Sequence, residues 1–246
     1  MQEIITTLEN NVLTIKFNRP AQKNAINQQM YSELAEGLKR SLTDDQIHCV
    51  LICAQGDTFT AGNDLNDFLQ PNVTQESPVQ QFLHGLTVMN KPLIAAVNGQ
   101  AIGIGLTMLL HCDIVLAAKS ASFTAPFTKL GLVPEAASSM LLPNIVGPAV
   151  ANDILLAGRT LNSAEALSFG LVSRVTDDEN LTELALQVSQ HVASLPINAM
   201  MKSKQLIRGA QRDSIKAQMG KENIEFANQL ASDEFKQAVA AYFSRA

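Results

Sequence analysis

The chain has 246 residues, of which 46% are apolar and 17% charged, enough for one large domain, or one domain with a helical appendage, around a sizeable core. A net charge of −5 and a pI near 5.4 argue against nucleic acid or an anionic membrane as a partner. No apolar run approaches the roughly 18 residues that span a bilayer. Met1-Gln-Glu-Ile-Ile-Thr-Thr7 lacks the basic-then-apolar order of a secretory signal, and Ser244-Arg-Ala246 is not a clear peroxisomal address, so the expected compartment is the cytoplasm.

In chain order, Glu3–Leu8 and Val12–Phe17 read as strands joined by a short turn at Glu9-Asn10-Asn11. A polar loop, Asn18–Asn24, leads to a helix over Asn27–Leu42 with Met30, Leu34, Leu38 and Leu42 at helical spacing. His48–Ala54 is a strand, Gln70–Pro78 a polar mobile loop, and Val79–Asn90 a helix. Leu93–Val97 is a short apolar run without alternation between Pro92 and Asn98-Gly99, which suits a strand buried on both faces. Glycines at 99, 103 and 105 then open the helical run Leu106–Leu110. Asp113–Ala118 and Ala121–Thr124 are strands. Glu135–Leu142 and Gly147–Leu156 are helices, Ser163 caps a short helix, and Leu171–Val175 is the last strand. From 180 on the pattern is helical, over 180–194, 197–209, 214–231 and 233–244, so the composition shifts from mixed α/β to all-α near Pro196. Two parts are expected, a core over 1–195 and a helical region over 196–246.

Chemistry is expected at the glycine-rich strand-to-helix junction. Its glycines let the backbone approach a ligand, and the helix start leaves N–H groups free to hold a phosphate or a carbonyl oxygen that is becoming negative. Gly99-Gln-Ala-Ile-Gly-Ile-Gly105 departs from Gly-x-Gly-x-x-Gly and lacks a following Gly-Lys-Ser/Thr, which disfavours a nucleotide. A tight packing turn without chemistry fits the glycines equally well. Cys49, Cys53 and Cys112 are an odd set in core-like segments, read as reduced thiols, and histidines 48, 84, 111 and 191 are scattered, so no metal is expected.

Three stretches together resemble the crotonase, or enoyl-CoA hydratase/isomerase, superfamily: Phe59-Thr-Ala-Gly-Asn-Asp-Leu65, Ile94 to Asp113, and Ala166-Leu-Ser-Phe-Gly-Leu-Val-Ser-Arg-Val175. Their order and spacing also agree, over nearly the whole chain. The resemblance implies an α/β fold, a crotonase-like spiral of ββα units with a C-terminal α-helical trimerisation region, assembled as a homotrimer or dimer of trimers. It implies an acyl-CoA thioester as substrate and no separate cofactor, because CoA is part of the substrate. The thioester oxygen would be held by the backbone N–H groups of Asn63 and Ile104. Ala61, Gly62, Asp64 and Leu65, with Lys23 and Ala25, would contact the adenine and pantetheine of CoA. Asn63-Asp64 also reads as a cap for the helix starting at Leu65.

The superfamily's hydratases use two glutamates to hold and split water; here those positions carry Thr107 and Phe127, which cannot do that acid–base work. Thr124-Ala-Pro-Phe-Thr-Lys-Leu-Gly-Leu-Val-Pro-Glu-Ala-Ala-Ser-Ser139 instead resembles the peroxisomal-type Δ3,Δ2-enoyl-CoA isomerases, whose single catalytic glutamate corresponds to Glu135. Glu135 beside Phe127 is expected to have a raised pKa; otherwise it is a first-turn helix acid after Pro134. Another crotonase-type reaction (hydration, dienoyl isomerisation or thioester hydrolysis) would need a second acid or base, for instance Asp67 or Asp113, with Asp113 expected away from the pocket. The remaining alternative is a non-catalytic acyl-CoA-binding protein. Lys202 and Lys204 fall in the tail, either approaching CoA phosphates or on a solvated face.

Overall fold

A computed structural model describes residues 2–68 and 77–244; most of the loop expected over Gln70–Pro78 lies outside the described residues. β1 (Ile4–Glu9) and β2 (Val12–Phe17) form an antiparallel hairpin across Asn10 and Asn11, both with left-handed φ, 49° and 62°. Asparagine tolerates that conformation, and it matches the twist of the flanking strands. α1 (Gln28–Thr43) is capped by the Asn27 side chain and turns Met30, Tyr31, Leu34 and Leu38 inward. β3 (Cys49–Ala54) runs parallel to β2. α2 (Leu65–Phe68) is a single turn, and α3 (Pro78–Val88) starts at Ser77 with proline in its first turn, where no backbone donor is lost.

β4 (Leu93–Val97) is buried throughout. It lies in a six-stranded sheet of order β1-β2-β3-β4-β6-β9, where β6 is Ile114–Ala118 and β9 is Arg174–Thr176; every pairing after the first hairpin is parallel. One face of the sheet turns Leu13, Ile15, Val50, Ile52, Leu93 and Ala95 into the main core. The other turns Val12, Cys49, Leu51, Ile94, Ala96 and Leu116 onto α8 (Leu181–Ser194). Apolar layers on both sides explain why β4 carries no alternation.

β5 (Gln100–Ile102) lies inside the segment read from sequence as a glycine turn. It becomes a strand because its backbone is met on both sides: by Thr60, through Thr60 N–H to Gln100 O (3.0 Å) and Ile102 N–H to Thr60 O (3.0 Å), and by β7 (Ser122–Thr124) in parallel. With β8 (Leu161–Asn162) these form a second, three-stranded sheet, β5-β7-β8. The helix expected over Leu106–Leu110 starts earlier, as α4 (Ile104–Thr107), and tightens into a 3₁₀ turn over Met108–His111.

Three other expectations shift. The helix placed at Glu135 begins only with α5 (Ser138–Val146), because Ala136 and Ala137 adopt left-handed φ of 59° and 56°; Glu135 is therefore not a first-turn helix acid. α6 (Pro148–Leu155) follows. The cap of α7 (Ser163–Ser168) is Asn162 rather than Ser163, in a capping box with Glu165. The last strand, expected over Leu171–Val175, is β9, displaced towards the C-terminus. α9 (Ile197–Arg208), α10 (Arg212–Leu230) and α11 (Asp233–Phe243) complete the chain. The three cysteines are free; burial pushes the Cys49 and Cys112 thiols up to about 12 and Cys53 to about 11, so none is a ready nucleophile. Among the described residues no helix is long and apolar enough to cross a membrane, and no group of three His, Cys, Asp or Glu side chains could hold a metal.

Candidate active site

The Thr60–Ala101 bridge brings two turns together. Three residues past Thr60 is Asn63; three past Ala101 is Ile104. On the first arm, Ile26 N–H donates to Gly62 O (2.8 Å) and Asp64 N–H to Ile26 O (2.9 Å), so the parallel bridge uses the amides around Asn63 and leaves the Asn63 N–H out. On the second, Ile104 is the first residue of α4, where the N–H has no intrahelical acceptor, and its N-cap Gly103 offers no side chain. Glycine is required where the arms meet. A Cβ on Gly62 (φ 92°) would stand 2.9 Å from Ile102 O, and one on Gly105 2.6 Å from Thr60 Cγ2. Both expected amide donors thus sit on adjoining glycine turns.

Asn63 borders a cleft of about 650 Å³, solvent mouth included. Glu135 is on the same wall, with Tyr31, Asp64, Asp67 and, from α10, Asn223 and Phe226. Ile104 is fully buried and not on that wall. Glu135 is 5% exposed, and among the described residues its Oε1 has no hydrogen-bond partner. Burial first, and the Glu222 carboxylate second, push its carboxyl up from 4.5 to about 8. Tyr31 donates its hydroxyl to Asn63 Oδ1. Burial, then Glu135 and Asp67, hold the Tyr31 hydroxyl well above its ordinary pKa, so it stays a donor. Thr107 and Phe127 are buried, 0% and 5% exposed, and neither lines the cleft.

Of the remaining predicted residues, Lys23, Ala25, Ala61, Gly62, Asp64 and Leu65 come together as two adjoining loops, since Ala61 N–H donates to Lys23 O (2.9 Å). Lys23 is exposed with a left-handed φ of 49°, Ala25, Ala61 and Leu65 are half-buried, and Gly62 is buried. The Asp64 carboxylate faces the cleft but is held by Arg19 at 2.7 Å. Burial works to raise it, and Arg19 and the Asn66 donors outweigh that and keep it low. Asp113 is remote from the cleft, accepting from Leu93 N–H (2.8 Å) and paired with Lys204 (2.6 Å) and Arg208 (3.3 Å). Lys204 is therefore neither on a solvated face nor free for a phosphate, whereas Lys202 is exposed.

Sequence reasoning missed Tyr31, Asn24, His111 and Glu222. Asn24, fully buried with φ 53°, ties the Arg19–Ala25 loop by donating to Gln55 O (2.9 Å) and Thr58 O (2.7 Å). Tyr31 reads as one more core residue of α1. Glu222 left a signal: Ile215, Met219 and Glu222 share one buried helical face, so an acid continues an apolar stripe.

The enoyl-CoA hydratase/isomerase family model matches residues 7–246. The chain is 36% identical to 1,2-epoxyphenylacetyl-CoA isomerase of Escherichia coli over all of this chain and 97% of that protein. It is also 36% identical to human enoyl-CoA delta isomerase 2, over 99% of this chain and 64% of that longer protein. A crystal structure of an enoyl-CoA hydratase/isomerase from Pseudoalteromonas atlantica superposes with a TM-score of 0.96 at 53% identity, covering 99% of this chain and 98% of that one. With its two glycine turns, buried glutamate and largely parallel six-stranded sheet, this chain belongs to the enoyl-CoA hydratase/isomerase, or crotonase, superfamily of acyl-CoA enzymes.

Proposed function

We propose that the chain is a Δ3,Δ2-enoyl-CoA isomerase working through a single glutamate. The observation that carries this reading is the buried Glu135 carboxyl, one oxygen of which has no partner among the described residues, in the cleft it lines together with Asn63, while Thr107 and Phe127 do not line that cleft. Ionised Glu135 takes a proton from C2 of a 3-enoyl-CoA. The C–H electrons form an enolate, whose charge moves onto the thioester oxygen between the Asn63 and Ile104 N–H groups. The electrons then return, C2=C3 forms, the old C3=C4 pair moves to C4, and Glu135 delivers the proton there. One carboxyl serves as base and then acid, so neither cofactor nor water is consumed. The Lys23–Ala25 and Ala61–Leu65 loops hold the adenine and pantetheine. Two of the relatives named above are also isomerases of acyl-CoA compounds. The exposed Leu206, Ile207 and Ile224 of the helical tail suit burial by further copies, a homotrimer or dimer of trimers.

Purified protein should convert 3-hexenoyl-CoA to its 2-enoyl isomer and add little water to crotonyl-CoA. Glu135→Gln should lower the isomerisation rate by about 10²–10⁴, the usual worth of a positioned base, with CoA binding intact; near-native activity in that variant would remove Glu135 from the reaction. One observation favours a second reading. Asp67 lies on the same cleft wall, its Oδ2 accepting from Gln28 N–H at 2.8 Å. Efficient hydration of crotonyl-CoA that is lost in Asp67→Asn would make the pair a water-splitting site.

A further inference from the structure

The peptide that carries Glu135 is held from two sides. Its successors Ala136 and Ala137 both sit in the left-handed region, at φ 59° and 56°, where a residue with a Cβ is strained by about 1 kcal/mol or more. Two such residues in a row persist only where their surroundings hold them. From the 3₁₀ turn that continues α4, His111 Nε2 lies 2.8 Å from Ala136 O. Burial, foremost, brings the His111 pKa down to about 4, so the ring is neutral and donates through Nε2. From α10, Glu222 accepts from Ala137 N–H (2.5 Å), Ser139 N–H (3.0 Å) and Ser139 Oγ (2.5 Å), and Gln218 Nε2 donates to that same Oγ (2.9 Å). α5 has no side-chain cap of its own, since its N-cap is Ala137. Glu222 takes that place from 85 residues away.

We infer that Glu222 is the positioning residue for Glu135. It caps α5 from α10, keeps the left-handed turn that aims Glu135 into the cleft, and sets a fixed negative charge behind the base. This rests on Glu135 being the base of the proposed isomerase. Tyr31 from α1 and Glu222 from α10 act on or beside Glu135, Asp67 from α2 lines the same cleft and acts on Tyr31, and neutral His111 is bonded to the next peptide. Glu222 itself is bonded by Ala137 and Ser139 and acts on Glu135. Among the described residues no Lys or Arg is paired with either carboxyl. Glu222 is 5% exposed; burial raises its pKa, and its hydrogen bonds from Ser139 and Ala137 oppose the rise. An anion behind the base makes Glu135 harder to ionise and a stronger proton acceptor once ionised.

The test is the pH profile of kcat/KM for 3-hexenoyl-CoA in Glu222→Gln, Glu222→Asp and Ser139→Ala, beside the wild type. In Glu222→Gln the charge is gone and one amide nitrogen must face a donor, so the rising limb should move about half a pH unit or more to lower pH and kcat should fall about tenfold. Glu222→Asp keeps the charge on a shorter arm, so kcat should fall with the limb in place. Ser139→Ala, which removes one donor to Glu222 and the acceptor of Gln218 but no charge, should leave the limb within about 0.2 units. A folded Glu222→Gln with an unmoved limb and kcat within about twofold of wild type overturns the inference. If Glu222→Gln does not fold, full wild-type kcat in Glu222→Asp overturns it instead. The isomerase reading is tested separately: if Glu135→Gln is itself active, the failure belongs to that reading and not to Glu222.

Discussion

Glu135 should destabilise the fold as the pH rises, and replacing it should reveal by how much. Its carboxyl titrates near 8 in the folded chain against an ordinary 4.5, with burial as the first cause and Glu222 as the second. Between those values the folded state binds a proton that the unfolded chain has already lost. The protonated form's contribution is fully present below about pH 4.5 and is lost as the pH climbs through about 8. A difference of about three and a half units at about 1.36 kcal/mol each sets a ceiling near 5 kcal/mol; relaxation and water entry bring the expectation to roughly 2–5 kcal/mol. Gln has the same shape as the neutral acid and does not titrate. Glu135→Gln should therefore match the wild type near pH 4.5 and exceed it progressively up to pH 9. At about 2–4 °C per kcal/mol for a chain of this length, the gap at pH 9 is roughly 4–20 °C in Tm. Thermal unfolding followed by circular dichroism from pH 4.5 to 9, at one protein concentration because assembly also moves Tm, reads it directly. A difference between the two proteins that stays flat across that range would refute the burial of an ionisable carboxyl at 135.

Isomerisation by the wild type should climb with pH along a limb whose midpoint is near 8, since only ionised Glu135 can take the C2 proton; a limb centred near 4.5 would mean that the acid is solvated. Gly105→Ala, whose Cβ would stand 2.6 Å from Thr60 Cγ2, should push the two amide-bearing turns apart and cost about 10²-fold or more in kcat, a loss of the size seen when one oxyanion donor is misplaced; retention of native kcat shows that the turns need not touch. Lys204→Met breaks a 2.6 Å pair with Asp113 in which the lysine is only 10% exposed. Arg208 remains as a partner, so urea titration should show a loss below the roughly 3–5 kcal/mol of a fully orphaned buried charge, with KM for the CoA substrate unchanged; a raised KM would return Lys204 to the CoA site. Asn162→Ala removes the capping box of α7 and should cost about 1 kcal/mol in the same titration, and no loss would mean that Glu165 alone secures that helix start.

Much of the fold was legible because its signals are local. Strand β4 declared itself as an unbroken apolar run between breakers, α1 as a stripe at helical spacing, and the first hairpin as two strand-like runs joined by a short turn with a pair of asparagines. The absent hydratase glutamates were legible in the same way, as residue types at motif positions. Where the expectations shifted, contacts distant in the chain were responsible. β5 is a strand because Thr60 and β7 reach its backbone. Glu135 lies outside the helix assigned to it because His111 and Glu222, one on each side, hold Ala136 and Ala137 in a conformation that alanine does not favour. Lys204 faces inward because Asp113 awaits it.

The order of the glycine turns and the identity of the single acid are properties of the chain itself, since which groups can donate, accept or ionise follows from residue type. Whether that acid is buried, what it faces and where it titrates belong to the tertiary structure alone. Desolvation and the charge of Glu222 act through space, and Glu222 is 87 residues further along the sequence, brought behind Glu135 only when α10 closes over α5.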